Sequence, residues 1–175
     1  SGNIDIDGTS NLDVIDVDGA ANFAADVTFA TGADIITASA GTSNFRAGVN
    51  AGNSIESGGN YNVVVGDEAG TAITTGDFNV FVGYASGDGT TTSSNNTAVG
   101  YDSLTANTTG ANNVAVGALS LDANTTGDQN VALGTSALGA LTAGDKNVAV
   151  GNSALAAFNV TDGSETFNTA VGYAA

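Results

Sequence analysis

Asn113-Val114-Ala115-Val116-Gly117 is the phrase that decides the fold, because the chain answers it with Asn130-Val131-Ala132-Leu133-Gly134 and Asn147-Val148-Ala149-Val150-Gly151. The same phrase opens at Asn62, Asn79 and Asn96 in steps of seventeen residues, and once more at Asn168 after a step of twenty-one. A fixed period of this size is the signature of stacked coils, each burying its apolar side only against its neighbours. With each coil numbered from its Asn, positions 2 and 4 are Val, Thr or Leu and position 5 is Gly. Position 9 is Leu104, Leu121, Leu138 and Leu155 in successive coils, and positions 13 to 15 often read Thr-Thr-Gly, as at 74–76, 108–110 and 125–127.

Gly recurs twice in most repeats, and the apolar residues alternate instead of falling three and four apart, so helix is excluded. β-Branched pairs closed by Gly specify short strands. The expected fold is all-β, a parallel β-solenoid or β-roll of seventeen-residue coils. Alternation sends positions 2 and 4 to one face of the strand and position 3 to the other. Val114, Val116, Val131, Leu133, Val148 and Val150 are assigned to the inside with the position 9 leucines. Ala98, Ala115, Ala132, Ala149 and Ala170 then form an outward strip without charge, where a surface strand ordinarily carries polar residues. Such a strip asks for a neighbouring chain, so these alanines are the expected inter-chain contacts.

Working outward from the repeat, residues 1–44 keep a shorter rhythm: Ile4-Asp5-Ile6-Asp7-Gly8 returns as Ile15-Asp16-Val17-Asp18-Gly19, an offset of eleven. This segment is read as an Asp-rich stalk of short β-strands. Residues 45–61, rich in Gly, Asn and Ser, fit neither rhythm and are read as a junction, and 62–175 form the β-roll. The chain opens at Ser1 without Met, and its last copy, Asn168-Thr169-Ala170-Val171-Gly172, carries no polar cap, which is expected of a piece of something longer.

Eighteen acidic residues stand against Arg46 and Lys146, a net charge of −16, which argues against nucleic acid or an anionic membrane surface as partner. No apolar run reaches membrane-spanning length. The absence of Cys excludes a disulfide scaffold and thiolate-bound metal. Without His or Cys the usual bases for a nucleophile are missing, and no pair of carboxylates is singled out for glycoside hydrolysis, so the expectation is a non-enzyme without cofactor. Asp5/Asp7 and Asp16/Asp18 look like fragments of a calcium loop but lack the remaining oxygen ligands, and are read as solvated strand faces.

Three polar or aromatic columns are candidate functional features. Asn62, Asn79, Asn96, Asn113, Asn130, Asn147 and Asn168 are read as a structural ladder of amides bonded from coil to coil. Thr74, Thr91, Thr108, Thr125 and Thr142 raise an ice-binding surface, against the plainer reading that Thr suits an exposed strand or turn. Tyr84, Tyr101 and Tyr173 share position 6, and Phe158 lies in the longer last coil; these are candidates for contact with a sugar or a protein, with packing as the open alternative.

The Asn-Val-Ala-Val-Gly phrase, followed by Ala-Leu and Thr-Thr-Gly, resembles the head repeats of trimeric autotransporter adhesins. It is similar also to repeats in bacteriophage tail-fibre proteins. The resemblance covers about residues 62–174. It implies a parallel β-roll in a homotrimer of intertwined or side-by-side chains. It further implies an extracellular place on a virion tail fibre or a cell surface, and attachment through a glycan or protein receptor. The expected function is a structural fibre segment of a phage tail fibre that mediates host adsorption. A bacterial adhesin head and an ice-binding solenoid are the alternatives.

Overall fold

A computed structural model describes residues 39–175, and the Asp pairs of the proposed stalk lie outside them. One three-residue strand forms per coil: β1 (Phe45–Ala47), β2 (Val63–Val65), β3 (Val80–Val82), β4 (Thr97–Val99), β5 (Val114–Val116), β6 (Val131–Leu133), β7 (Val148–Val150) and β8 (Thr169–Val171). The strands build a single parallel sheet in chain order. Equivalent residues pair across every step, Ala98 with Ala115, Ala115 with Ala132 and Ala132 with Ala149. The rest of each coil is turn, and no helix occurs among the described residues. The chain is thus an all-β parallel solenoid of about seven coils of seventeen residues.

Two sequence expectations are corrected. The segment 45–61 is no junction: β1 pairs in register with β2, Phe45 to Val63 and Ala47 to Val65. Asn44 is buried and its side-chain oxygen accepts the Asn62 backbone N–H at 2.8 Å, so the solenoid already includes Asn44. Coils 1 to 8 therefore start at Asn44, Asn62, Asn79, Asn96, Asn113, Asn130, Asn147 and Asn168. The first coil is one residue longer than the five that follow it and carries Arg46 where later coils carry Val, Phe or Ala, which hides it in the sequence.

The second correction is the sense of the alternation. Val64, Phe81, Ala98, Ala115, Ala132 and Ala149 are fully buried, whereas Val63, Val80 and Val116 keep more than a third of their surface exposed. Positions 1 and 3 point inward, and positions 2 and 4 point out. The alanines therefore pack inside their own coil and are not the contacts between chains; Ala170, in the last strand, faces the same way and is half-buried. The reason is the width of the coil. Position 9 and position 12 side chains already occupy the interior, leaving a methyl group's space opposite the strand.

That space is shared out coil by coil. Where position 3 is large, position 9 is Gly: a Cβ on Gly87 would lie 2.5 Å from the Phe81 ring, and one on Gly70 would lie 2.7 Å from Ile73 Cδ1. Where position 3 is Ala, position 9 is Leu, and Leu104, Leu121 and Leu138 are fully buried. Total volume is conserved while its source moves between strand and turn, as close packing requires. Position 9 is left-handed throughout, with φ of 54° at Gly70 and 51° at Leu121. A Leu there carries about 1–2 kcal/mol of backbone strain, held by its burial. Leu121→Ala is expected to cost about 2–5 kcal/mol through the cavity it leaves. Leu121→Gly is expected to cost no more than Leu121→Ala, because Gly relieves the strain, and urea unfolding of the two variants side by side measures this order.

Candidate functional site: an outward valine face between aromatic edges

The outer face of the sheet is made by positions 2 and 4, two files of Val with occasional Thr or Leu. It is flanked by the residue preceding each Asn, position 17, and by position 6. The preceding residues sit in left-handed turns, with φ of 57° at Tyr61 and Phe78, 59° at Asn112 and Gln129 and 60° at Lys146. They project at one edge. At the other edge, just past the Gly of position 5, stand Tyr84 and Tyr101. The face is half-exposed or more along its whole length, and among the described coils Asp67 and Lys146 are its only charged residues.

Both edges carry stacked rings. Tyr61 and Phe78 lie 4.9 Å apart at 6° between planes, and Tyr84 and Tyr101 lie 5.6 Å apart at 12°. The spacing follows from one coil's rise in a parallel sheet, about 4.8 Å. Each stacked pair turns ring faces toward each other and leaves ring edges outward, a poor platform for a sugar ring and a suitable one for edge-to-face contact with another aromatic. The Asp102 carboxylate, by hydrogen bond and charge, holds the Tyr101 phenol above its ordinary pKa. Tyr173 is the most exposed of the three tyrosines picked out by the sequence, at 83%. Phe158, read as a surface contact, is instead half-buried against the core cluster. It stands at position 12, the column of Ile73 and Leu141, so its ring closes the end of that interior column.

The Asn ladder has the role read from the sequence. Every backbone N–H from Asn62 to Asn168 donates to the side-chain oxygen of the Asn one coil earlier, at 2.8–3.2 Å. The side-chain nitrogens bond the turn at position 15, for example Asn113 to the Gly127 carbonyl and Asn130 to the Gly144 carbonyl, both at 2.8 Å. Asn62 through Asn147 are fully buried, so no ligand reaches them. A second, shorter amide ladder escaped sequence reading: Asn124 donates to Asn107 at 2.9 Å inside the turn. Its signal was present, since both residues interrupt an otherwise mostly apolar column.

The Thr column at position 13 spends its hydroxyls internally. Thr74, Thr91, Thr108 and Thr125 each donate to the carbonyl of the next Thr in the column, at 2.9–3.2 Å. Thr142 bonds Asn159 and Val160. The neighbouring file, Thr75, Thr92, Thr109 and Thr126, is exposed throughout, and in the bonded column Thr108 is exposed as well. The longer seventh coil ends in an ion pair between Lys146 and Glu165, with the Lys146 ammonium 5.2 Å from the centre of the Phe167 ring.

Away from the valine face, burial raises the Asp88 carboxyl above its ordinary pKa, with Glu68 and Asp102 adding repulsion against a lowering bond from Thr71. Burial likewise raises Asp122, which Asp102 also repels. A carboxyl whose folded pKa lies above its unfolded value binds more protons in the folded state just above that value, so stability falls as pH rises through this window and is recovered on acidification. Asp88 and Asp122 are expected to raise the thermal midpoint on going from neutral pH toward the upper edge of the carboxylate range, with Asp162, held low by its bonds from Ser164, acting in the opposite sense, as calorimetry across pH checks. Asp122→Asn is expected to raise the midpoint at neutral pH and flatten that profile.

No group of acidic side chains among the described residues has the geometry to hold a metal ion, and no helix among them is long and apolar enough to cross a membrane. Comparisons of the chain with protein-family models, with curated proteins and with solved structures find no match.

Proposed function

We propose that this chain is a structural segment of a surface-attachment fibre, of the kind found in phage tails, that assembles as a homotrimer through the valine face. The observation that carries the reading is that face itself. A chain of net charge −16 meets a copy of itself against strong repulsion except where charge is sparse, and the sheet's outer face, with Asp67 and Lys146 alone among the described coils, is such a place. Seven steps of about 4.8 Å and a width of about 20 Å give the face roughly 700 Å² per copy, which a closed trimer divides between two neighbours.

The role is mechanical and multivalent. Parallel chains joined along their sheets resist bending, and a trimeric fibre presents three copies of whatever it carries to a glycan or protein receptor, so that weak contacts add to avidity. It belongs outside the cell, on a virion or a cell surface, and catalyses nothing. The head of a bacterial trimeric adhesin is the neighbouring reading, and a coiled coil with a membrane anchor further along the gene product would favour it. Sedimentation equilibrium of the whole chain at micromolar concentration tests the assembly: the expected mass is three times the 16.9 kDa of one chain, and a single-chain mass would contradict it.

A further inference from the structure

We propose that the bond between Asp162 and Gly163, at the tip of the longer seventh coil, is a site of spontaneous covalent modification at which Asp162 isomerises to isoaspartate, and that the fold withholds the same reaction from Asp88 and Gly89. Asp-Gly is the pair most open to this chemistry, because glycine puts no side chain in the way of its own nitrogen, and among the described residues it occurs at these two places. The Gly nitrogen attacks the side-chain carboxyl carbon of the preceding Asp. A C–N bond forms, and one carboxyl oxygen leaves as water with the protons of the amide and the acid. The cyclic imide then takes back a water at either carbonyl, giving aspartate or isoaspartate. Solvent is the only co-reactant.

The two places differ in what holds the attacking nitrogen. Thr161, Asp162 and Gly163 enter no backbone–backbone hydrogen bond, and all three are exposed. A Cβ on Gly163 would meet nothing within 4 Å, so this peptide has room to turn its nitrogen toward the carboxyl. Asp162 Oδ1 accepts the Ser164 backbone N–H at 3.1 Å and the Ser164 hydroxyl at 2.6 Å, which folds the carboxyl back over the Gly163 peptide. In coil 3 the Gly89 nitrogen instead donates to the Thr105 carbonyl at 2.8 Å, and the Asp88 carbonyl accepts from Ala72 at 3.1 Å. Both sides of that peptide belong to the coil-to-coil ladder, and a Cβ on Gly89 would lie 2.6 Å from the Thr105 oxygen, so it is held from turning. The tip itself is anchored at its flanks, where the Val160 carbonyl accepts from Ala143 at 2.9 Å and the Ser164 carbonyl from Asp145 at 3.2 Å. Isomerisation is therefore confined between these anchors: it adds a side-chain carbon to the main chain and moves the carboxylate while keeping its charge. The tip is not part of the valine face, so this inference stands apart from the assembly proposed above. Longer loops on a solenoid decorate its surface, and this one changes shape as the protein ages.

The full-length chain is held warm at mildly acidic pH, where the neutral acid that loses water is populated, in one sample folded and in another unfolded by urea, with circular dichroism to verify each state. Isoaspartate is then read site by site, by peptide mass spectrometry with electron-transfer fragmentation, which separates the two isomers. In the folded chain isoaspartate is expected at position 162 at least tenfold over position 88, and in the unfolded chain the two positions are expected to react to comparable extents. Asp162→Glu, which keeps the charge of the tip, is expected to remove the signal at position 162 and leave the dichroism unchanged. Isoaspartate at position 88 of the folded chain equal to that at 162, or none at 162, overturns the proposal. A preference for position 162 that persists undiminished in urea overturns it as well, since the fold would then not be its cause.

Discussion

Gly134→Ala is expected to abolish cooperative folding. Gly134 holds φ at +127°, a conformation that L side chains rarely adopt, and a Cβ there would lie 2.6 Å from both the carbonyl carbon and the oxygen of Gly151 in the next coil. Those neighbours are backbone atoms of a hydrogen-bonded ladder and cannot move without breaking it. Dihedral strain and overlap together are expected to cost more than about 4 kcal/mol, a large part of a domain's stability. The same Gly stands in every coil from Gly48 to Gly172, with φ between 127° and 138°, because each coil faces the same obstruction or the same dihedral. Gly163→Ala is the control: its φ is 72°, but a Cβ would meet nothing within 4 Å, so only about 1–2 kcal/mol of strain is expected. Circular dichroism with urea titration distinguishes the two, and a Gly134→Ala protein as stable as the Gly163→Ala protein would contradict the stacking geometry.

Asn130→Ala is expected to be the most damaging change of a side chain outside the glycines. The Asn130 side-chain oxygen accepts the Asn147 backbone and side-chain N–H groups, both at 3.0 Å, and its nitrogen donates to Asn113 at 3.2 Å and to the Gly144 carbonyl at 2.8 Å. Removing it strands a buried N–H and a buried carbonyl, each worth about 1–3 kcal/mol, and opens a small cavity besides. The expected loss is about 3–5 kcal/mol at this one rung. Asn130→Asp should be as damaging at neutral pH, since a buried carboxylate would face the Gly144 carbonyl. It should recover in part on acidification, because the neutral acid can donate where the amide did. Thermal unfolding at two pH values checks this; a loss below about 1 kcal/mol for Asn130→Ala would show that the ladder is ornamental.

The period, the strands, the Asn ladder and the Gly column were legible in the sequence because each depends on identity at a fixed spacing. The inside and outside of the strand were not, since alternation gives parity without sign. The residue that could have supplied the sign was Asn113 and its equivalents: a ladder of amides bonded from coil to coil is most stable away from water, and position 1 shares parity with the Ala of position 3. Coil 1 was hidden because Arg46 replaces the expected Ala and Ala47 the expected Val, although Asn44 and Gly48 kept the frame. Of the candidate site, Tyr84, Tyr101 and Tyr173 were visible as a column. The opposite edge was overlooked because its rings, Tyr61, Phe78 and Phe167, sit in left-handed turns where Asn is the ordinary choice, and Asn95 and Asn112 do occupy the same column.

The central claim is that the outward valines join copies of the chain while the alanines fill the coil, and the double substitution Val114→Lys with Val131→Lys tests it most directly. Both residues are half-exposed on neighbouring strands and paired across the sheet, so lysines can reach solvent from a folded single chain. Sedimentation equilibrium before and after the substitution is the measurement. The account predicts a fall from a trimer's mass to that of one 16.9 kDa chain, with the β-sheet dichroism retained. A substituted protein that keeps the trimer's mass, or a parent protein already at the mass of one chain, would contradict it.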